Sequence, residues 1–224
     1  MTPIAARGRA LLGLLTLPFV FGGCAGSLFK TQVAPPTMYL LSAEAAADAT
    51  PADGAGGPNA DLAVLKPRVR AGLDTERIAA LYPDRHLDYF ADARWSGPLD
   101  EVIQDLVVQL FHSRAGLRNV SGDASAFASA YWLEIEVADF QAEYAADALG
   151  AASAPSVRVH FLARIGSSGE RRIIARFEAE ARQPAASNRM SAIVDAYNRA
   201  TNQALMQIAS NCMAALAPLD VKTR

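Results

Sequence analysis

Cysteine and histidine are scarce in this sequence of 224 residues, which has two cysteines and three histidines. Cys24 and Cys212 lie far apart, and none of His86, His112 and His160 has a cysteine or a second histidine at ligand spacing. Zinc sites are built from such closely spaced pairs. We therefore expect no metal site, and we interpret the three histidines as surface or strand-edge residues.

The motifs of familiar enzyme classes are absent too. The sequence has no Gly-x-Ser-x-Gly stretch, no zinc-binding helix motif and no phosphate loop, since no helix is predicted after the glycine-rich residues 54–58. Glu134 and Glu136 share one face of a predicted strand and form a pair of carboxylates. No nucleophile accompanies them, so we interpret them as solvated strand residues. From the sequence we therefore predict that the protein is not an enzyme and has neither catalytic residues nor a cofactor.

Neither sign of charge dominates the chain. It has 21 basic and 23 acidic residues, which gives a net charge of −2. Nucleic-acid binding favours a basic stripe, so this balance argues against DNA or RNA as a partner. It also gives no electrostatic attraction to an anionic membrane.

The amino terminus has the pattern of a secretory signal that ends at Cys24. Two arginines precede an apolar run from about Ala10 to Phe21, and two glycines stand directly before the cysteine. A cysteine after a small pair resembles a lipoprotein signal, in which the thiol takes a diacylglycerol, the chain is cut before the cysteine, and the new amine is acylated. Residues 1–23 are therefore the predicted signal peptide, and Cys24 is the predicted lipidation site.

Two other interpretations of this segment stay open. An ordinary cleaved signal would make Cys24 incidental, although cysteine at this position is otherwise rare. A transmembrane helix fits less well, because the run is shorter than the ~20 residues that a bilayer requires and Pro18 interrupts it. If Cys24 is lipidated, Ala25 in place of Asp predicts, by the usual bacterial sorting rule, the periplasmic face of the outer membrane.

Composition divides the remaining chain into a tether and one domain. Residues 24–36 end in two prolines and form the predicted lipidated tether. Residues 37–224 form a single predicted domain, which is large enough to bury a core. Within it, residues 43–60 are mostly Ala, Gly, Asp and Pro, so we predict a flexible loop there.

Alternating apolar residues predict two hairpins, with arms at 77–82 and 86–95 and at 157–165 and 173–179. Pro67 lacks an amide donor, so the strand predicted over 62–70 should lie at an edge or bulge there. The apolar phase of the strand predicted over 131–144 changes near Ala138 and Asp139, which predicts a second bulge.

Two amphipathic helices are predicted from apolar residues at helical spacing. The first follows Pro98 and ends at Gly116, and the second covers 187–215 and stops before Pro218. Cys212 lies on the apolar stripe of the second helix, which predicts a buried free thiol. The order of strands, helix, strands and helix predicts an α+β fold, with an antiparallel sheet in two similar halves and both helices on one face.

One stretch at the junction between a strand and the first helix stands apart. It contains Arg94, Trp95, Pro98 and Leu99. In the structural interpretation, Trp95 closes the core where the helix begins, and Arg94 holds a nearby carboxylate or the sheet edge. In the binding interpretation, the stretch contacts a partner, because Trp and Arg are enriched at interfaces. The structural interpretation is favoured, since both residue types also occur in cores.

The chain resembles the ABC-type transport auxiliary lipoproteins, the PqiC-like family. The resemblance covers the mature chain and rests on these stretches in order: Tyr39-Leu40-Leu41, Leu73-Asp74, Arg77-Ile78, Leu87-Asp88-Tyr89, residues 94–99, residues 133–140, the second hairpin and the last helix. Its most specific part is the Arg-Trp-x-x-Pro-Leu sequence that begins at Arg94.

The resemblance implies a periplasmic lipoprotein that docks onto an ABC transporter system with an MCE-domain substrate-binding protein. Such systems move lipids between the two membranes, and a ring of several copies is consistent with the family. The family provides no catalytic residues to transfer. The alternatives are a structural or envelope-assembly outer-membrane lipoprotein with no transport role and, least supported, a lipid-anchored enzyme.

Overall fold

A computed structural model describes residues 35–43, 60–113, 117–122, 129–145 and 153–220 of the chain. The predicted signal peptide, Cys24 and most of the predicted loop 43–60 lie outside these residues. The elements, in chain order, are β1 (Thr37–Tyr39), β2 (Ala60–Val64), β3 (Arg68–Val69), β4 (Arg77–Leu81), β5 (Leu87–Trp95), α1 (Leu99–His112), β6 (Leu117–Ser121), β7 (Tyr131–Glu143), β8 (Ser156–Ser167), β9 (Arg172–Pro184) and α2 (Met190–Asp220).

The described strands form one mixed sheet around β7. The long strand β8 pairs antiparallel with one side of β7, and β9 pairs antiparallel with β8. On the other side β2, β3 and β4 pair with β7 one after another, all in parallel. β5 pairs antiparallel with β4, β1 pairs parallel with β5, and β6 pairs parallel with β2.

The predicted α+β class is confirmed, and the long ladders are antiparallel as expected. The short parallel pairs were not predicted. Parallel strands need a crossover connection, and here the connection from β4 to β7 passes through β5, α1 and β6. Both halves of the chain run from strands to a helix, but the second half has the longer strands.

Both helices pack on one face of the sheet, as predicted. Their buried side chains join those of the strands in one hydrophobic cluster, and the helices contact each other. Along β8, Val157, Val159 and Phe161 point into this cluster and alternate with Arg158 and His160 on the opposite face. The helix-free face is consequently covered by charged side chains.

A bulge in β7 keeps its apolar residues on the core face. The register against β8 shifts between Val137 and Asp139, where the sequence predicted an irregularity. Before the shift the buried residues are odd-numbered, and after it Phe140 and Ala142 are buried. Without the extra residue Phe140 would lie on the charged face.

Three aromatic rings meet in the core. Trp95 at the end of β5 packs edge-on against Phe140 of β7 and Tyr197 of α2, with ring centroids 5.8 Å and 5.1 Å away. The Phe140 and Tyr197 centroids are 5.1 Å apart. The Tyr197 hydroxyl donates a hydrogen bond to the carbonyl oxygen of Ala79 in β4, at 2.7 Å. Burial raises the pKa of this phenol well above its usual value, so the ring stays neutral.

Two prolines differ from the sequence-based expectation. Pro67 separates β2 from β3, so the predicted strand 62–70 is broken into two strands rather than bulged. Pro218 lies inside α2, where the helix continues to Asp220. Proline tends to end a helix because it lacks an N–H donor. Here only two residues of the helix follow it, so little regular helix is affected.

We predict that Trp95→Ala lowers the free energy of unfolding by ~3–5 kcal/mol, because the indole leaves a cavity between two rings. The exposed neighbour provides the control, and Ser96→Ala should change stability by no more than ~0.5 kcal/mol. Urea denaturation of both variants measures the difference. If Trp95→Ala lowers the free energy of unfolding by less than ~1 kcal/mol, the loss is far smaller than truncation of a buried aromatic side chain causes, and the core assignment is contradicted.

We also predict that Cys212 resists alkylation in the folded chain. Its side chain is fully buried on α2, and desolvation raises the pKa of the thiol to about 12. Because the thiolate is the reactive form, a Cys24→Ser chain, whose sole thiol is Cys212, should react with iodoacetamide at pH 8 only after denaturation. Rapid labelling of the folded chain, or a dimer that disappears on reduction, would show that the thiol is accessible.

Candidate docking surface

The structure divides the Arg94–Leu99 stretch between core and surface. Trp95 is 1% exposed and Leu99 is also buried, so neither is available to a partner. Pro98 occupies the cap position of α1 and makes no side-chain capping bond. It instead supplies the fixed φ that suits a helix start. These three residues shape the turn from β5 into α1.

Arg94 is the member of the stretch that reaches the surface. Its guanidinium lies 3.6 Å from the carboxylate of Glu76, and both side chains are substantially exposed. The Nε atom of Arg94 is buried and makes no hydrogen bond within the described residues. Exposed ion pairs of this kind contribute little to stability, so the pair orients Arg94 more than it holds the fold.

Beside Arg94 lies β1, the edge strand of this side of the sheet. Thr37, Met38 and Tyr39 pair with Ala93, Arg94 and Trp95 in register. β5 is the sole partner of β1 among the described strands. Because register partners point to the same face, Met38 projects beside Arg94, away from the helices.

Met38 and Leu40 are the most exposed large apolar side chains in the described part of the chain. Met38 is 58% exposed and Leu40 is 75% exposed. The intervening Tyr39 and the following Leu41 instead pack against the core. We call Met38, Leu40 and Arg94 the β1 edge surface. An open strand edge with apolar side chains is a common place for another chain to bind.

The long helix α2 holds the segment after β1 in place. The amide of Ser42 donates to Oδ1 of Asn198 at 2.9 Å, and Nδ2 of Asn202 donates to the carbonyl oxygen of Ser42 at 2.8 Å. Both asparagines belong to α2. Consequently β1 is fixed to the domain although it is only three residues long.

The two carboxylates that the sequence analysis singled out, Glu134 and Glu136, lie in ion pairs. Glu134 lies 2.7 Å from Arg164 and 3.1 Å from Arg68, while Glu136 lies 3.2 Å from Arg68. These carboxylates are held in ion pairs on the helix-free face. Within the described ranges, no three His, Cys, Asp or Glu side chains are grouped to hold a metal ion. Neither described helix has the length and apolar character needed to cross a bilayer.

Sequence reasoning missed Met38 and Leu40. The apolar residues in the run 37–42 are consistent with a strand, but the sequence alone does not indicate which of their side chains are covered. The available signal was the alternation of Met38 and Leu40 with Tyr39 and Leu41. It becomes informative only when β1 is known to be an edge.

Comparisons with known proteins agree with this architecture. Residues 39–209 match the family described as ABC-type transport auxiliary lipoprotein component. A Xanthomonas campestris protein of the family DUF330 has a similar structure, with a TM-score of 0.68 and 21% identity over 84% of this chain and 100% of its own. An uncharacterised protein has a TM-score of 0.57 and 15% identity, over 80% and 99% of the two chains.

The search of curated proteins found no match. The two structural similarities support the fold, and the family assignment rests on the match of residues 39–209, which is well over half of the sequence. The chain therefore belongs to the ABC-type transport auxiliary lipoprotein family.

Proposed function

We propose that this protein is a lipid-anchored docking module of an ABC/MCE-type system for lipid transport between membranes. In this proposal Cys24 carries the acyl anchor at the periplasmic face of the outer membrane. The β1 edge surface binds the MCE-domain substrate-binding protein of the transporter. The observation that carries the proposal is the family match over residues 39–209, which gives the chain an auxiliary role beside an ABC transporter.

The position of β1 in the sequence supports a role near the membrane. Only residues 25–36 separate Cys24 from β1. Twelve residues extend by at most ~43 Å, so a chain anchored at Cys24 keeps this edge within about that distance of the bilayer. A partner that spans the periplasm would meet the domain there. Because hydrogen bonds from α2 hold the segment that follows β1, a partner bound to β1 would be firmly attached to the folded domain.

The chemistry of the β1 edge surface supports a protein partner. Burying two exposed apolar side chains is favourable by roughly 25 cal/mol per Å² of apolar area. The open edge of β1 can also accept an added strand. Arg94 supplies a charge beside the apolar pair, and arginine is common among residues that dominate binding energy. The faces of α1 and α2 that could compete for a partner are already buried against the sheet.

Charged substitutions on the β1 edge surface should abolish capture of the partner. We expect the double variant Met38→Glu and Leu40→Glu to lose about 2 kcal/mol or more of binding free energy, because two apolar anchors become charged. Crosslinking in whole cells, followed by affinity purification and mass spectrometry, should recover an MCE-domain protein with the unaltered chain and little with this variant. Arg94→Ala should reduce recovery less than the double variant does.

Leu162→Glu is the matched control for this experiment. Leu162 is also an exposed leucine on a strand, but it lies on β8, among the charged side chains of the helix-free face. It should leave recovery unchanged. If the β1 variant captures the MCE-domain protein normally, docking does not use this edge. Recovery of peptidoglycan or unrelated outer-membrane proteins alone would favour an envelope-structural role, and crosslinks between copies would indicate self-association through β1.

A second prediction concerns the anchor. Cys24→Ala should leave an uncut precursor or a soluble chain, because the thiol that takes the diacylglycerol is gone. Mass spectrometry of the unaltered protein should show an acylated Cys24 at the mature amino terminus. Sucrose-gradient fractionation should place the protein with the outer membrane. A mature chain that starts at Ala25 or later without lipid would overturn the anchor, and inner-membrane fractions would overturn the location.

A further inference from the structure

Three strands line one side of β7 in succession, and a gap separates the second from the third. β3 pairs with β7 up to Val137, and β4 resumes the pairing at Ala142. Among the described strands, none pairs with residues 138–141 on this side, where the chain loops away at 70–76. The gap opens a cleft of about 620 Å³ on the helix-free face.

A buried amide lines the floor of this cleft. Gln141 is only 4% exposed, which is unusual for its type. Its Oε1 accepts a hydrogen bond from the backbone N–H of Phe140 at 2.9 Å, and its Nε2 donates to Oε1 of Glu143 at 3.2 Å. The amide thus replaces part of the missing strand. An amide nitrogen carries two N–H groups, and the second has no partner among the described residues.

Arginines outnumber carboxylates around the cleft. Arg70, Arg85 and Arg158 line it together with Asp139 and Glu143. Asp139 lies 3.1 Å from Arg70 and 3.4 Å from Arg158, so its charge is already compensated. The carboxylate of Glu143 lies 2.7 Å from the guanidinium of Arg182, which is outside the lining, so its charge is compensated too. Arg158 also lies 3.1 Å from the carboxylate of Glu180, so Arg85 is the arginine of the lining that has no carboxylate partner among the described residues.

Arg85 lines the cleft and has an unfavourable backbone conformation. Its φ is +67°, in the left-handed region that glycine adopts most easily. It closes the turn between β4 and β5, where its N–H donates to the carbonyl oxygen of Tyr82 at 2.9 Å. Residues 83–85 form a three-residue hairpin loop, and the third residue of such loops is commonly glycine. The Arg85 side chain forms no ion pair or hydrogen bond within the described part of the chain.

One wall of the cleft is apolar. Leu73, Leu81 and Leu87 line it, and Leu87 is partly exposed. Tyr82 stacks on Tyr144 with ring centroids 5.1 Å apart, which stiffens the rim. A ligand that fits the cleft therefore has an anionic group, and the cleft has space for an apolar part attached to that group.

We propose that this cleft binds a phosphate group, either free or as the ester of a lipid headgroup. Arg85 and Arg70 contact the phosphate oxygens, which guanidinium groups match in charge and geometry. The second N–H of the Gln141 amide supplies a neutral donor at the floor. The leucine wall contacts the glycerol or acyl part when the ligand is a lipid. This inference does not depend on the MCE partner or on the β1 edge surface.

The test is calorimetric titration of the mature lipoprotein in dodecyl maltoside micelles with two probes, inorganic phosphate and dihexanoylphosphatidylglycerol. Arg85→Gly should weaken binding of the preferred probe by about tenfold or more, as expected for loss of a charged hydrogen-bond donor. It should not lower the melting temperature, because glycine suits the positive φ. Arg176→Ala is the control, since Arg176 lies on β9 outside this cleft and has no ion pair among the described residues.

The two probes distinguish the sources of the phosphate. Equal affinity for both would assign the site to free phosphate, and tighter binding of the lipid would assign it to a headgroup with its apolar part. No binding of either probe would overturn the proposal. So would an Arg85→Gly protein that binds as the unaltered one does, or an equal loss in Arg176→Ala, which would indicate nonspecific attraction.

Discussion

The packing of Trp95, Phe140 and Tyr197 against one another is the contact on which the rest of the structure depends. The three rings come from the end of β5, the second part of β7 and the first third of α2. β5 leads directly into α1, so the rings connect both helices to the centre of the sheet. The Tyr197 hydroxyl also satisfies a carbonyl of β4. Because a buried hydroxyl without a partner is costly, β4 and α2 hold each other in place.

The bulge in β7 affects both faces of the sheet. On the core face it brings Phe140 to the other two rings. On the opposite face it lies where pairing with β3 ends, at the start of the cleft floored by Gln141. A regular β7 would place Phe140 among the charged side chains and would separate it from Tyr197. The irregularity that completes the core is therefore also next to the gap in the sheet.

Local sequence patterns predicted the individual helices and strands better than they predicted which strands lie next to each other in the sheet. The hairpins, the β7 bulge and both helices follow from apolar periodicity, which is a property of short segments. The parallel pairing of β2, β3 and β4 with β7 depends on a crossover through α1, and no short segment encodes it. The Arg94–Leu99 stretch shows the same division. Its sequence marked an important junction, but burial of Trp95 and exposure of Arg94 depend on which strands lie beside β5.

The balance of charges on β7, β8 and β9 of the helix-free face favours β1 as the place for the proposed docking. Glu134 there is paired with Arg164 at 2.7 Å, and the neighbouring acids are paired in the same way. A partner that covered this face would remove water from charges that already satisfy one another, and desolvation can exceed any new attraction. Met38 and Leu40 carry no such penalty, because burying them releases water from apolar surface. The proposed phosphate ligand avoids this cost at Arg85, because that guanidinium has no carboxylate partner among the described residues.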